Sequence, residues 1–292
     1  MTWQLTEDVE EFRRAADDCL TRDPVGSTAL LTVSETVRRH GPHAYGNAEP
    51  ARFGWWRDGN ANGDGNANAN GGHVAGAFVQ TPPLPPLLGP MAEPLARALA
   101  RTLRAAGIGL SGVRGGEAHT YAFADEWAGA QGWTVDARLR LFRLGSLTPQ
   151  RPAPPGAARR ATSADVPLAA AWMRAFAADI GDSSDADQTG NVSRRIADGC
   201  LYLWETDGQP VSMAARSPLL AGQSRVSPVY TPSGLRGRGY AGAVTAAVSR
   251  DALDAGAEQV LLFADLANPT SNALYERLGY HPLADFVDLD FS

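Results

Sequence analysis

Cysteine is nearly missing from this chain of 292 residues: Cys19 and Cys200 stand alone, far apart, with no redox or metal-ligand spacing around them. That excludes a disulfide framework and points to a reducing compartment, with both thiols read as small buried hydrophobes. No long Lys/Arg block occurs, and a formal charge of -6 with a pI near 5.4 gives no general attraction to nucleic acid. No apolar run approaches membrane-spanning length, and the acidic start Thr6-Glu7-Asp8 lacks the basic region of a signal peptide. The expectation is a soluble, cytoplasmic protein with neither nucleic acid nor membrane as partner. A hydrophobic content of 44% over this length allows a sizeable core and two ordinary domains.

Along the first half, Leu5, Val9, Phe12, Ala16 and Leu20 form one helical stripe with Thr6 as its expected N-cap. Residues 29–37 carry β-type residues but also tolerate a helical reading, and 53–57 read as a strand. The Asn/Gly/Ala stretch 60–72 cannot bury apolar surface and reads as a loop. A strand is expected over 73–80, then an extended Pro-rich segment 81–86, which reads as a wall of the fold before Leu87 and Leu88 rather than as a ligand for a proline-recognition module. Helix 93–106, strand 108–113, helix 121–130 and strand 135–144 follow. The Pro-rich segment 148–157 reads as an interdomain linker.

In the second half, a strand over 159–162 and helices over 165–178 and 191–197 precede two strands, 201–206 and 211–216, flanking the hairpin signal Asp207-Gly208. Strands over 224–231 and 259–263 bracket a further helix, and 286–291 supplies a last strand. The two halves share an order of elements from about Phe53 and from Leu201 onward, which suggests a tandem repeat. The expected fold class is α/β (α+β): a mixed, mostly antiparallel sheet flanked by helices, in domains 1–147 and 158–292.

The chemistry concentrates between Val229 and Ala241, VYTPSGLRGRGYA. A β-branched and aromatic run stops at Thr231-Pro232, a Gly/Arg loop follows, and Ala241, Val244, Val248 and Ala252 recur at helical spacing from a helix starting near Arg238. Strand, loop and helix N-terminus together form an anion site. Gly237-Arg238-Gly239-Tyr240-Ala241-Gly242 also matches G-x-G-x-x-G, with Asp265 as an acid for a ribose, but a Thr-Pro segment intervenes and little chain remains for a doubly wound sheet. No Gly-Lys-Ser/Thr follows, which excludes a Walker loop. Asp185-Ala186-Asp187 begins like a calcium loop, yet Ile196 stands where the bidentate Glu is required, so no metal is expected.

Arg236-Gly237-Arg238-Gly239-Tyr240-Ala241 resembles the Q/R-x-x-G-x-G/A acetyl-CoA signature of the GNAT N-acetyltransferases. The stretch from Leu261 to Tyr280, with Asn268, Asn272, Tyr275 and Gly279-Tyr280, is similar to the family's fifth strand, its Asn-bearing turn and its fourth helix. The resemblance implies an enzyme that moves an acetyl group from acetyl-CoA to a primary amine by direct attack. It further implies that the main chain of Val229 and Thr231 pairs with the pantetheine arm, that backbone N–H groups near Val229 and Tyr230 stabilise the oxyanion, and that the amides of Arg236, Gly237, Arg238, Gly239, Tyr240 and Ala241 hold the pyrophosphate, with the guanidinium of Arg236 or Arg238 adding charge-assisted contacts. Asn268 and Asn272 flank the turn into the fourth helix and are read as cofactor-binding, Asn272 and Tyr275 share a helical face and can converge on one ligand, and the resemblance gives Tyr275 the protonation of the departing thiolate. The strand 224–230 lacks the Glu that several members use as base, leaving Glu205, Asp265 or a water relay. Asp179, Asp182, Asp185 and Asp187 suggest a cationic acceptor. The alternative from another class is a non-catalytic acyl-CoA sensor or interaction module. In the first half the equivalent loop, from Pro85 to Pro94, lacks Arg and Lys and carries Glu93, so that half is expected to be a degenerate copy that binds no acetyl-CoA.

Overall fold

The computed structural model describes residues 2–45, 49–58, 73–181 and 188–292. The stretch 60–72 and the acids Asp182, Asp185 and Asp187, with the start of the calcium-like segment, lie outside or largely outside these residues. The first ten elements are β1 (Trp3–Thr6), α1 (Val9–Arg22), α2 (Thr28–His40), β2 (Arg52–Arg57), β3 (Val74–Gln80), β4 (Leu87–Leu88), α3 (Glu93–Ala105), β5 (Gly112–Gly116), α4 (Glu117–Ala128) and β6 (Trp133–Leu144). The next ten are β7 (Ala157–Arg160), α5 (Val166–Asp179), α6 (Thr189–Ala197), β8 (Leu201–Thr206), β9 (Gln209–Arg216), β10 (Gln223–Tyr230), α7 (Tyr240–Asp254), β11 (Gln259–Asp265), α8 (Pro269–Arg277) and β12 (Tyr280–Phe291). Leaving aside two short 3-10 turns, the order βααβββαβαβ runs twice.

Two starts differ from the sequence expectation. Residues 3–6 form a strand, and Asp8 rather than Thr6 caps α1, accepting from the amides of Glu10 and Glu11. The stretch 29–37 is helical, because Leu30, Leu31, Ser34 and Val37 fall on one buried face of α2 and outweigh the β-branched residues between them.

The chain divides into two compact units, Met1–Leu139 with Ala284–Ser292, and Arg140–Leu283. In the first, the strands run β1-β2-β3-β4-β5 and then β12, antiparallel throughout except for β4 beside β5. One core lies under α1 and α2, around Phe12, Phe53 and Val79; the other lies under α3 and α4, where Val287 and Leu289 of β12 join Leu99, Leu103 and Phe123. In the second unit the order is β7-β8-β9-β10-β11 and then the end of β6; β7 to β10 are antiparallel to one another and β10 runs parallel to β11. Phe142 and Leu144 of β6 enter its core beside Val244, Val260 and Tyr275, while Ala169, Val192 and Met213 form the core under α5 and α6. The fifth strand of each series of ten elements is thus followed in its sheet by the last strand of the other series.

This differs from a division at 148–157. Residues 284–292 belong with the first unit, and 148–157 is bound along the second: the Thr148 amide donates to Leu278 O (2.9 Å) and Trp204 Nε1 to Pro155 O (2.9 Å). The proline content marks an extended course rather than a free linker.

The exchanged strand makes a stability prediction. Leu289 is 1% exposed in the first unit's core, whereas Leu283 of the same strand is 43% exposed. Leu289→Ala should cost about 2–5 kcal/mol, and Leu283→Ala about 0.5 kcal/mol or less, read from urea midpoints. Equal midpoints would place β12 outside that core.

Candidate active site

The site arises where β10 and β11 part. Their parallel register runs from Gln223↔Gln259 to Val226↔Leu262 and ends there, although β10 continues to Tyr230 and β11 to Asp265. On its other edge β10 stays paired with β9, but the register shifts between Val226↔Arg216 and Val229↔Ala214. The extra residue of that bulge, in Ser227-Pro228, turns β10 away from β11 while β9 keeps hold of it. Ser212 of β9, fully buried, fixes the end of the strand: its Oγ donates to Tyr230 O (2.9 Å) and lies 2.8 Å from Thr231 Oγ1. No sequence signal marks Ser212, because its role follows from register alone.

The loop after β10 leads into α7. Gly239 is its N-cap, in the left-handed conformation at φ 85°, so the helix begins at Tyr240 and not near Arg238. Gly237 is also left-handed (φ 76°). A glycine cap has no side chain to satisfy the first amides, and the first one to close back is Ala243 N onto Gly239 O at 3.1 Å. The amides of Tyr240, Ala241 and Gly242 therefore point out of the helix N-terminus, the arrangement that suits an anion.

The two arginines divide. Arg238 is exposed, with one contact of 3.3 Å from Nη2 to Gly234 O. Arg236 differs from the expectation in where its charge is spent: Nε donates to Thr231 O (2.9 Å), Nη2 pairs with Asp179 at the end of α5, and the guanidinium lies 5.9 Å from the Tyr230 ring centre. Its amide bonds to Ser233 O (3.3 Å). Arg236 thus braces the loop, and Asp179 is neutralised rather than offered to a cation.

On the facing side, Asn268 caps α8 through Oδ1, which accepts from Ser271 N (3.0 Å). Asn272 Nδ2 ties the turn to Asp265 O and Asn268 O, both at 2.9 Å, and leaves its Oδ1 buried without a partner. An orphaned buried acceptor costs about 1–3 kcal/mol, an expense removed by a ligand's N–H. Tyr275 lies one turn further on, 9% exposed, its ring beside Phe142 (6.5 Å) and Tyr280 (6.2 Å). Burial pushes its phenol up to about 12. Tyr280 is occupied elsewhere, 2.6 Å from Ser249 Oγ. Of the candidate bases, Glu205 Oε2 accepts from Arg159 Nε (2.5 Å), and Asp265 Oδ1 accepts from Ala267 N (2.8 Å). Both are engaged in holding local structure. Among the described residues no cluster of metal-ligating side chains occurs, and no helix is long and apolar enough to cross a membrane.

Known proteins share this architecture. Residues 206–286 match the family of FR47-like proteins. An acetyltransferase of the GNAT family from Colwellia psychrerythraea superposes over 100% of both chains with a TM-score of 0.61 at 11% identity. This is the GNAT acetyltransferase fold. A GCN5-related N-acetyltransferase from Sphaerobacter thermophilus shares it over 99% of this chain and 95% of its own (TM-score 0.57, 17% identity). Another from Kribbella flavida shares it over 75% and 88% (0.52, 24%). Among curated proteins none matches the sequence. The FR47-like segment spans β10, the glycine loop, β11 and α8, the elements that border the gap between β10 and β11.

The burial of Tyr275 has a pH signature. An unfolded phenol titrates near pH 10, and in the fold this one is held protonated up to about 12. Because the folded value is the higher one, the stability tied to this proton is complete below about pH 10 and is lost as pH rises to about 12. The alkaline difference spectrum between the wild type and Tyr275→Phe should contain a phenolate that appears above pH 11; one appearing near pH 10 would show that Tyr275 is open to water.

Proposed function

We propose that the chain is an acetyl-CoA-dependent N-acetyltransferase whose active site is the cleft between β10 and β11, with a primary amine as acceptor. The observation that carries this reading is the coincidence, at one end of one strand, of an unpaired β10 edge and an uncapped helix N-terminus. The first suits the two amides of a pantetheine arm, which add to a strand edge as another strand would. The second suits a pyrophosphate. The orphaned Asn272 Oδ1 is a third feature that a ligand N–H would satisfy. The fit is to a ligand that is extended and amide-bearing at one end and doubly anionic at the other. A dinucleotide offers no strand-like segment to the free edge.

The reaction forms a C–N bond and breaks a C–S bond; the amine loses a proton and the sulfur gains one. Backbone N–H groups near Val229 and Tyr230 stabilise the oxyanion, and Arg236 keeps that backbone in position through Thr231 O. Tyr275, protonated at every working pH, donates to the sulfur as it leaves. With Glu205 and Asp265 engaged, water carries the amine proton out. Asp179 is spent on Arg236, so the described residues give no support to a cationic acceptor.

The recurrence of βααβββαβαβ supports reading the first unit as a degenerate second copy. At its counterpart of the cleft β4 is two residues long, and a Cβ on Gly115 would stand 3.1 Å from Leu88, which leaves little room between β4 and β5. Its counterpart of α7 has Pro94 and Glu93 in the first turn. Missing amides and a like charge both disfavour a pyrophosphate.

The chain contains no lysine, so acetylation of its own side-chain amines does not obscure the assay. With acetyl-CoA and a panel of primary amines, wild type should release thiol with at least one of them. Tyr275→Phe should lower kcat roughly 100-fold while acetyl-CoA affinity stays within twofold. Binding of acetyl-CoA with no release on any amine would favour a sensor, and unchanged kcat would remove Tyr275 from the reaction.

A further inference from the structure

We propose that Gln150, which lies outside every motif of the site, is the positioning residue of the cofactor loop; the proposal rests on the acetyl-CoA reading above. Gln150 sits in the segment 148–157, held on either side by the bonds of Thr148 to Leu278 and of Pro155 to Trp204. Its Nε2 donates to Gly239 O at 3.0 Å. The same carbonyl accepts the first helical bond of α7, from Ala243 N. Both lone pairs of the capping residue are thereby used, one along the helix and one to a side chain 89 residues away. A glycine cap has no side chain with which to fix its own orientation, and Gln150 fixes it from outside. The orientation of Gly239 sets where the amides of Tyr240 and Ala241 point.

The space for this brace is made by glycine. A Cβ on Gly239 would collide with Gln150 Nε2, and one on Gly242 would come 2.7 Å from Gln150 Oε1 and 3.0 Å from Leu274 Cδ1 of α8. The carboxamide therefore fills a notch over the first turn of α7 that exists because neither residue has a side chain. Gly242 completes the G-x-G-x-x-G pattern for this reason, as the seat of Gln150. By contrast a Cβ on Gly237 meets nothing within 4 Å, which leaves that glycine to the ligand side and to its left-handed backbone.

The test is a cycle of Gln150→Ala, Gly242→Ala and the double variant in the full chain, with acetyl-CoA as the probe. The methyl group introduced by Gly242→Ala displaces the carboxamide, so the two changes inflict one lesion. Each single variant should raise KM for acetyl-CoA about 3- to 10-fold, the loss expected for one hydrogen bond, with kcat and the amine KM within twofold. The double variant should be no worse than the poorer single, and its Tm shift should likewise fall short of the sum. Multiplicative losses in KM with additive Tm shifts, or a Gln150→Ala enzyme whose kcat falls while its acetyl-CoA KM stays put, would overturn the proposal. A wild type that binds no acetyl-CoA would sink the function itself, and the Tm cycle would still read the coupling of the two residues.

Discussion

The second unit depends on one break in backbone pairing. β10 is hydrogen-bonded to β11 as far as Val226 and to β9 as far as Tyr230, and the bulge between Val226 and Val229 reconciles the two. In a sheet interior, unpaired N–H and C=O groups carry a penalty, so a strand that leaves its neighbour early requires compensation. Ser212, Thr231 and Arg236 hold the departing end from the β9 side and from the loop. Under the proposed function the edge facing β11 takes the ligand. Everything assigned to the site lies along that edge or at its end: the uncapped turn of α7 at one side, Asn272 and Tyr275 of α8 at the other.

The same succession of elements is built differently in the first unit. In the first unit β4 is two residues long, its parallel register with β5 is Leu87↔Arg114, and Gly115 closes against Leu88. The helix that follows begins with Glu93 and Pro94, where α7 presents free amides behind Gly239. The first unit thus ends β4 one residue beyond its pairing with β5, where β10 runs on for four. Its core instead takes in Val287 and Leu289 from the far end of the chain, as the second takes in Phe142 and Leu144. This exchange puts the far part of the last strand of each series in a different core from the strands just before it in sequence, while Tyr280 and Trp133 at the strand starts stay with their own.

Much of this was legible in the sequence, for local reasons. Alternation, helical stripes and the Asp207-Gly208 turn are written in neighbouring residues, and the glycine loop before α7 and the Asn-capped helix α8 are compact motifs whose place in the fold their own residues fix. What was not legible depends on partners distant in the chain. Strand exchange leaves no periodicity, so a division at 148–157 assigned residues 286–291 to the wrong core. A Pro-rich run reads as a linker unless the donors that hold it, Trp204 and the Thr148 amide, are seen in place. Arg236 reads as a free cation of the loop until Asp179 is found beside it. Thr6 lost the cap of α1 to Asp8 because both are good caps two residues apart, and pairing of 3–6 with β2 decided between them.

The account as a whole rests on the gap between β10 and β11 taking acetyl-CoA and its counterpart between β4 and β5 not taking it. The direct measurement is a calorimetric titration of the full chain with acetyl-CoA. Saturation at one equivalent per chain, abolished when Gly239 is replaced by valine and unaffected by Gly89→Ala, is the predicted result. A second equivalent, or a single one lost with the change at Gly89 and retained with the change at Gly239, would contradict it.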